Sequence, residues 1–288
     1  MRTFRIQKAT HWHEPFREDK LVSSLQRVGA NPEHVRAVLQ RLRGRLHSGL
    51  TTDDLALGVS SELGRLDQRV AARYRLRRAI MELGPEGYPF ERYVAKIFDH
   101  YGYATLVGQH VAGRCISHEV DVIAERAGRR LMVECKYHNR RGVQSDAKVA
   151  MYTWARFEDI RDRGAAGHGG GHAFDEGWLV TNTKVTSDAL NFARCVGLKV
   201  LGWGYPAEAG LQRLIEAAAL YPITCLPRLS GIQRRVLLQR DVLLCRQLAG
   251  QPEVLRKLGF SPGAAAQLAL DAQQIVQPTL DEPAPPTL

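Results

Sequence analysis

The feature that most constrains this chain is a spacing of charges inside two apolar segments: Asp121, twelve intervening residues, then Glu134-Cys135-Lys136. His118-Glu-Val-Asp121-Val-Ile and Leu131-Met-Val-Glu134-Cys-Lys136 both alternate polar with apolar, and Arg126-Ala127-Gly128-Arg129 between them reads as a turn. That pattern predicts a hairpin of two strands over 119–124 and 130–136. Strand side chains alternate faces, so Glu119 and Asp121 are expected on one face and Val120 and Val122 on the other. By the same rule Glu134 and Lys136 point together, opposite Val133 and Cys135. The hairpin then carries Asp121 beside Glu134 and Lys136. Carboxylate oxygens are the ligands Mg²⁺ prefers. A bound ion lowers the pKa of a water and stabilises charge on a phosphate. A lysine there can orient or deprotonate that water, or neutralise the phosphate.

The flanking sequence predicts an α/β domain in which helices cover a mixed sheet. Phe90, Val94, Ile97 and Phe98 give one apolar face to a helix ending near His100. Further strands are expected over 104–107, 178–181 and 199–202, with helices over 145–163 and 187–195. Ahead of this domain, Phe4 and Ile6 mark one short strand, and helical spacing then predicts four helices. The last covers 68–83 and carries Arg73, Arg75, Arg77 and Arg78, and Gly84-Pro85-Glu86-Gly87 punctuates the chain after it. Beyond 205, paired helices are expected over 229–248 and 252–274, followed by a Pro-rich disordered tail. The division read from sequence is therefore 1–85, 86–205, 206–276 and 277–288. Residues 164–171 (GAAGHGGG) lack the G-K-[ST] of a phosphate loop and read as a linker or mobile flap, with His168 and His172 as weak metal candidates.

Charge adds a partner. The chain carries 40 Lys+Arg against 30 Asp+Glu, a formal +10, and residues 1–85 alone hold 16 basic and 9 acidic residues. An excess so concentrated favours a polyanion, either nucleic acid or nucleotide phosphates. No stretch approaches the ~20 apolar residues of a membrane span, and no apolar segment of a secretory signal opens the chain. Five cysteines without C-x-x-C or zinc spacing are expected as reduced thiols in the cytoplasm.

Residues 87–203 resemble the Mrr-type branch of the PD-(D/E)-x-K restriction endonuclease superfamily. Gly87-Tyr-Pro-Phe90-Glu91 is similar to the family's opening helix, His118-Glu-Val-Asp121-Val-Ile to its motif strand and Val133-Glu134-Cys-Lys136 to its (D/E)-x-K strand. Leu179-Val-Thr181-Asn182 resembles a later strand, and Gln144 stands where relatives often carry a glutamine. The resemblance implies Asp121 and Glu134 as metal ligands for Mg²⁺ or Mn²⁺, Glu91 as a further active-site carboxylate and Lys136 as the catalytic lysine. Glu119 is left open between ligand and bystander. In the first domain, Ile6-Gln-Lys8, Glu14-Pro-Phe16, Lys20-Leu21, Ser24-Leu25 and Ala71-Ala-Arg73-Tyr74-Arg-Leu76 look like an ATP-cone. That implies Lys8 and Lys20 on phosphates and Thr52 near the nucleotide, with ATP or dATP as effector. The carboxy-terminal helices resemble small modules behind nuclease domains, for which packing or oligomerisation is the expected role.

The expectation is thus a metal-dependent endonuclease acting on double-stranded DNA in restriction or defence, tuned by ATP or dATP. The alternatives are a nucleotide-responsive DNA-binding regulator without cleavage and a structure-specific repair nuclease. Cutting both strands with one site per chain suggests a homo-oligomer, and no membrane partner is expected.

Overall fold

Capped amphipathic helices build the first part of the chain. The computed structural model describes residues 5–7, 13–44, 50–140, 142–165 and 174–277. Strands β1 (Arg5–Gln7) and β2 (His13–Pro15) pair antiparallel. Helices α1 (Glu18–Arg27), α2 (Pro32–Arg43), α3 (Thr52–Leu66) and α4 (Gln68–Met81) follow. The side chains of Asn31, Thr51 and Asp67 accept backbone N–H bonds from His34, Asp54 and Arg69, which satisfies donors that α2, α3 and α4 would otherwise leave orphaned. Leu25, Val38, Leu42, Val59 and Leu63 form their shared core. The sequence predicts one strand here and the structure has two. His13-Glu14-Pro15 is exposed throughout and carries no apolar alternation to betray it. Phe4 lies outside the described residues.

The middle of the chain contains α5 (Tyr88–His100), β3 (Ala104–Ala112), β4 (Ser117–Arg126), β5 (Arg129–Lys136), β6 (Gln144–Ser145), α6 (Ala147–Ala165), β7 (Glu176–Thr181), β8 (Lys184–Val185), α7 (Ser187–Val196) and β9 (Lys199–Leu201). The five-stranded sheet runs β3-β4-β5-β7-β9, antiparallel across β3, β4 and β5 and parallel across β5, β7 and β9. A separate parallel pair joins β6 to β8. One sheet face packs Val122, Ala124, Leu131 and Val133 on Phe90, Val94 and Phe98 of α5. The other packs Val120, Ile123 and Met132 on Phe157 and Ile160 of α6. Strand β3 is longer than the expected 104–107. It is an edge strand whose polar Gln109 and His110 hide its continuation beyond Gly108.

Helices α8 (Leu211–Ala217), α9 (Gly231–Gln239), α10 (Pro252–Lys257) and α11 (Pro262–Val276) complete the described chain. The two long helices expected over 229–248 and 252–274 are each interrupted. Asp241 adopts φ +59 just after α9, and Gly259 adopts φ +86 between α10 and α11. A left-handed glycine followed by Ser261 as N-cap and Pro262 at the first turn is a stop-and-restart signal that ends one helix and begins another. These helices dock on α4 and α5: Tyr93 Oη donates to the Leu220 carbonyl at 2.7 Å, and Thr224 Oγ1 to that of Ala79 at 2.7 Å. Helix α4 therefore packs on two sides, Val70 and Ala71 toward the first bundle and Leu76, Ala79 and Ile80 toward the sheet and α11.

The β4–β5 turn holds Ala127 at φ +51 and Gly128 at φ +78, both left-handed, as a two-residue type I′ turn requires. Alanine in that region costs roughly 1 kcal/mol against a residue that tolerates it. Ala127→Asn is expected to raise the unfolding free energy measured in urea by up to about that amount. Ala127→Val should lower it.

Candidate active site

The site forms where β4 and β5 stop pairing. Their ladder ends at Val122↔Val133, one step before Asp121 would meet Glu134. On the other side, the pairs Val107↔Val122 and Gln109↔Val120 place Gly108 opposite Asp121, and Gly108 has φ +63. A non-glycine residue would be strained there whatever the space around it. The strand also turns its faces over at this point. Val122 lies in the core beneath α5 and Val120 in the core beneath α6. The expectation that Val120 and Val122 share a face is therefore corrected: strict alternation fails across Asp121, because regular pairing is lost on both of its edges.

Asp121 Oδ2 accepts the backbone N–H of Cys135 at 2.7 Å, a side chain taking the acceptor's place where the ladder ends. Glu134 is mostly buried and accepts from Arg156 Nη1 at 2.5 Å. The same guanidinium donates through Nη2 to the Glu119 carbonyl, so α6 ties the two strands across their gap. Glu91 reaches the group from α5. Burial, then the charges of Asp121 and Glu119, push its carboxyl up to about 7. Burial is also the first cause raising Asp121 and Glu134, and Asp121 raises Glu134 further, against the opposing pull of Arg156 and Lys136. Lys136 is exposed and has no ion pair within 4.0 Å among the described residues. Cys135, between them, is half-buried, and the burial of its sulfur raises the thiol pKa well above the ordinary value, so it stays protonated.

Acidic groups that raise one another in this way are short of positive charge, which a cation would supply. Among the described residues no three His, Cys, Asp or Glu side chains converge as a complete metal cage. Two partly buried carboxylates are instead enough for Mg²⁺, since it keeps several waters and takes further oxygens from substrate phosphate. Asp121 and Glu134 fit that ion.

The other expected residues scatter. Glu119 is exposed, with its carbonyl rather than its carboxylate bound to Arg156. Gln144 is exposed in β6, paired with Lys184. Thr52 donates to the Gln7 carbonyl at 3.2 Å and lines a cavity of about 580 Å³. Lys20 is exposed on α1 and does not line that cavity. Lys8, His168 and His172 lie outside the described residues.

Several supports escape sequence reasoning. Arg156 lies in helical phase with Val149, Thr153 and Ile160, and a charge on that apolar face was the available signal. His118 Nε2 lies 2.7 Å from Asp159 Oδ2, and Asp159 also accepts the Cys115 N–H at 2.8 Å, latching the β3–β4 turn to α6. That pairing with His118 holds the Asp159 carboxyl well below the usual range. Beyond Lys136, Asn182 bonds both ways to the His138 backbone, accepting at 2.9 Å and donating at 2.8 Å, which fixes the end of β5 against β7.

Comparison with known proteins agrees with this architecture. The family described as "Restriction endonuclease" matches residues 84–201, and "AF1548-like, C-terminal" matches residues 221–276. An uncharacterized protein of Archaeoglobus fulgidus is 37% identical over 185 residues, 64% of this chain and 99% of that one. The crystal structure of AF1548, a protein of unknown function, superposes with a TM-score of 0.56 at 36% identity, covering 66% of this chain and 98% of that one.

A carboxyl raised on folding binds more protons folded than unfolded, so stability falls as pH rises between the two pKa values. For Glu91 that window runs from 4.5 to about 7. Thermal unfolding of the metal-free protein should show Tm falling across this range and levelling above it. Glu91→Gln should flatten the slope, and Mn²⁺ should restore Tm most at the high-pH end. A Tm independent of both pH and Mn²⁺ would remove the carboxylate cluster as described.

Proposed function

We propose that this chain, which belongs to the AF1548-like family and carries a restriction endonuclease domain, is a metal-dependent endonuclease that hydrolyses phosphodiester bonds in double-stranded DNA. The observation that carries the proposal is the meeting of Asp121, Glu134 and Glu91 at the parting of β4 and β5, with Lys136 on the next outward position of the same strand. Asp121 and Glu134 would hold Mg²⁺ or Mn²⁺. When bound, the ion supplies a water of lowered pKa and a positive charge against the scissile phosphate. Lys136 stands free to orient the attacking water or to neutralise charge building on the phosphate oxygens. Glu91, whose carboxyl titrates near neutrality before an ion binds, is placed to take up or release a proton. Arg156 keeps Glu134 directed toward Asp121 instead of into solvent.

The remaining assignments are proposals of the same reading. The chain divides into units at about residues 85 and 205. ATP or dATP acts as an effector on the first unit, and two copies of the chain cooperate to cut both strands. No described helix is long and apolar enough to cross a membrane.

Supercoiled plasmid, methylated and unmethylated, incubated with Mg²⁺ or Mn²⁺ and with or without ATP or dATP, tests the activity. Nicked or linear product is expected from the wild type. Asp121→Asn and Lys136→Ala should each lower the rate at least about a hundredfold, the loss usual for a group that stabilises transition-state charge. Cleavage undiminished in Asp121→Asn would refute the mechanism.

A further inference from the structure

A cavity of about 580 Å³ lies away from the carboxylates, between α3, α4 and the β6–β8 pair. A second, of about 530 Å³, lies between α3, α4 and the segment before α9. The two share Leu57, Ser60, Arg75 and Arg78, and so form one groove along the α3–α4 seam. Its lining is cationic. Arg75, Arg77, Arg78 and Lys184 line the first cavity, and the second adds Arg65, Arg228 and Arg234, against Glu82 as the sole carboxylate lining either among the described residues.

Some of this charge is matched internally. Glu82 pairs with Arg78 at 2.7 Å and with Arg234 at 2.6 Å, Arg228 with Asp271 at 3.0 Å, and Arg65 with Glu62 at 3.0 Å. Arg78 also lies 3.8 Å from Asp53. Arg75, Arg77 and Lys184 have no carboxylate within 4.0 Å among the described residues. Arg75 is 8% exposed, and its guanidinium bonds the Thr224 carbonyl at 3.4 Å, a weak partner for a buried charge. Ser60 is 3% exposed, lines both cavities, and its Oγ has no hydrogen-bond partner among the described residues, nor does the buried Nη1 of Arg78, whose nearest carboxylate is Asp53 at 3.8 Å. Buried polar atoms are ordinarily satisfied, so two orphans in one cationic groove point to an absent acceptor.

We propose that this groove carries the phosphate backbone of the DNA substrate, making α3 and α4 one wall of a clamp whose other wall is the nuclease sheet. The identity of the ligand rests on the endonuclease reading. Its location rests on the groove's continuity with the site: Met81 lines the first cavity, and its carbonyl accepts from Tyr137 Oη at 2.6 Å, the residue after Lys136. The loop leaving β5 forms the nearby rim through Gly142, Val143 and Gln144. A free nucleotide would gather its phosphates at one point in one cavity. Here the cations spread along two joined cavities and come from α3, α4, β8 and the segment around α9, which suits a polymer that repeats its charge along its length.

The test uses the full chain and fluorescence anisotropy of a labelled DNA duplex, with Ca²⁺ replacing Mg²⁺. Arg77→Ala and Lys184→Ala change residues without internal ion pairs. Each is expected to weaken binding several-fold and to lower the salt slope by about one, and the double variant by about two. Arg77→Lys should largely restore binding, and Arg36→Ala, on α2 outside the groove, should bind as wild type. Wild-type affinity and slope in the double variant would overturn the proposal. So would a double variant that loses ATP binding while holding DNA normally, because the groove would then belong to a nucleotide. Groove-dependent binding without cleavage in Mg²⁺ or Mn²⁺ would leave the clamp standing and remove the nuclease reading. Cleavage with groove-independent binding would do the reverse.

Discussion

One hydrogen bond, from the backbone N–H of Cys135 to Asp121 Oδ2, sets the geometry on which the rest depends. Two antiparallel strands would normally continue their ladder, and Asp121 and Glu134 would then turn outward in register. The ladder stops instead at Val122↔Val133, and the aspartate spends one carboxylate oxygen on the neighbouring strand. Its charge still acts on Glu134, raising that carboxyl. Arg156, reaching across from α6 to Glu134 and to the Glu119 carbonyl, keeps the gap from closing or widening. The result is acid density that costs stability and that a bound cation would relieve. That cost is tolerable because the strands on either side are locked into two separate cores, Val122 and Val133 beneath α5 and Val120 and Met132 beneath α6.

Helix α4 connects this centre to everything else. Its two apolar sides bind it to the amino-terminal bundle and to the sheet with the carboxy-terminal helices. Between those sides it presents arginines to the groove, and its last residue, Met81, accepts a hydrogen bond from the residue after Lys136. The carboxy-terminal helices contribute by burying backbone and side-chain partners of α4 and α5, through Thr224, Leu220 and Asp241.

The hairpin was legible in the sequence because its determinants are local. Period-two alternation identifies β4 and β5, Ala127-Gly128 marks the turn, and the spacing then places Asp121 opposite Glu134. The helices whose caps and apolar stripes are short-range, such as α2, α3 and α7, were legible for the same reason. What remained hidden depends on partners distant in sequence. The face reversal at Asp121 follows from Gly108 on another strand. Arg156 matters through Glu134, and β2 is visible only when β1 lies beside it. The groove joins residues from α3 to Arg234, and no local pattern announces such a convergence.

The proposed chemistry requires Asp121 and Glu134 to share one divalent cation. A crystal soaked in Mn²⁺, with data collected at the manganese absorption edge, tests it most directly. An anomalous peak is expected in contact with one oxygen of each carboxylate, and it should be lost in Asp121→Asn. Manganese bound only elsewhere, or the carboxylates still paired with Arg156 and no peak between them, would contradict it.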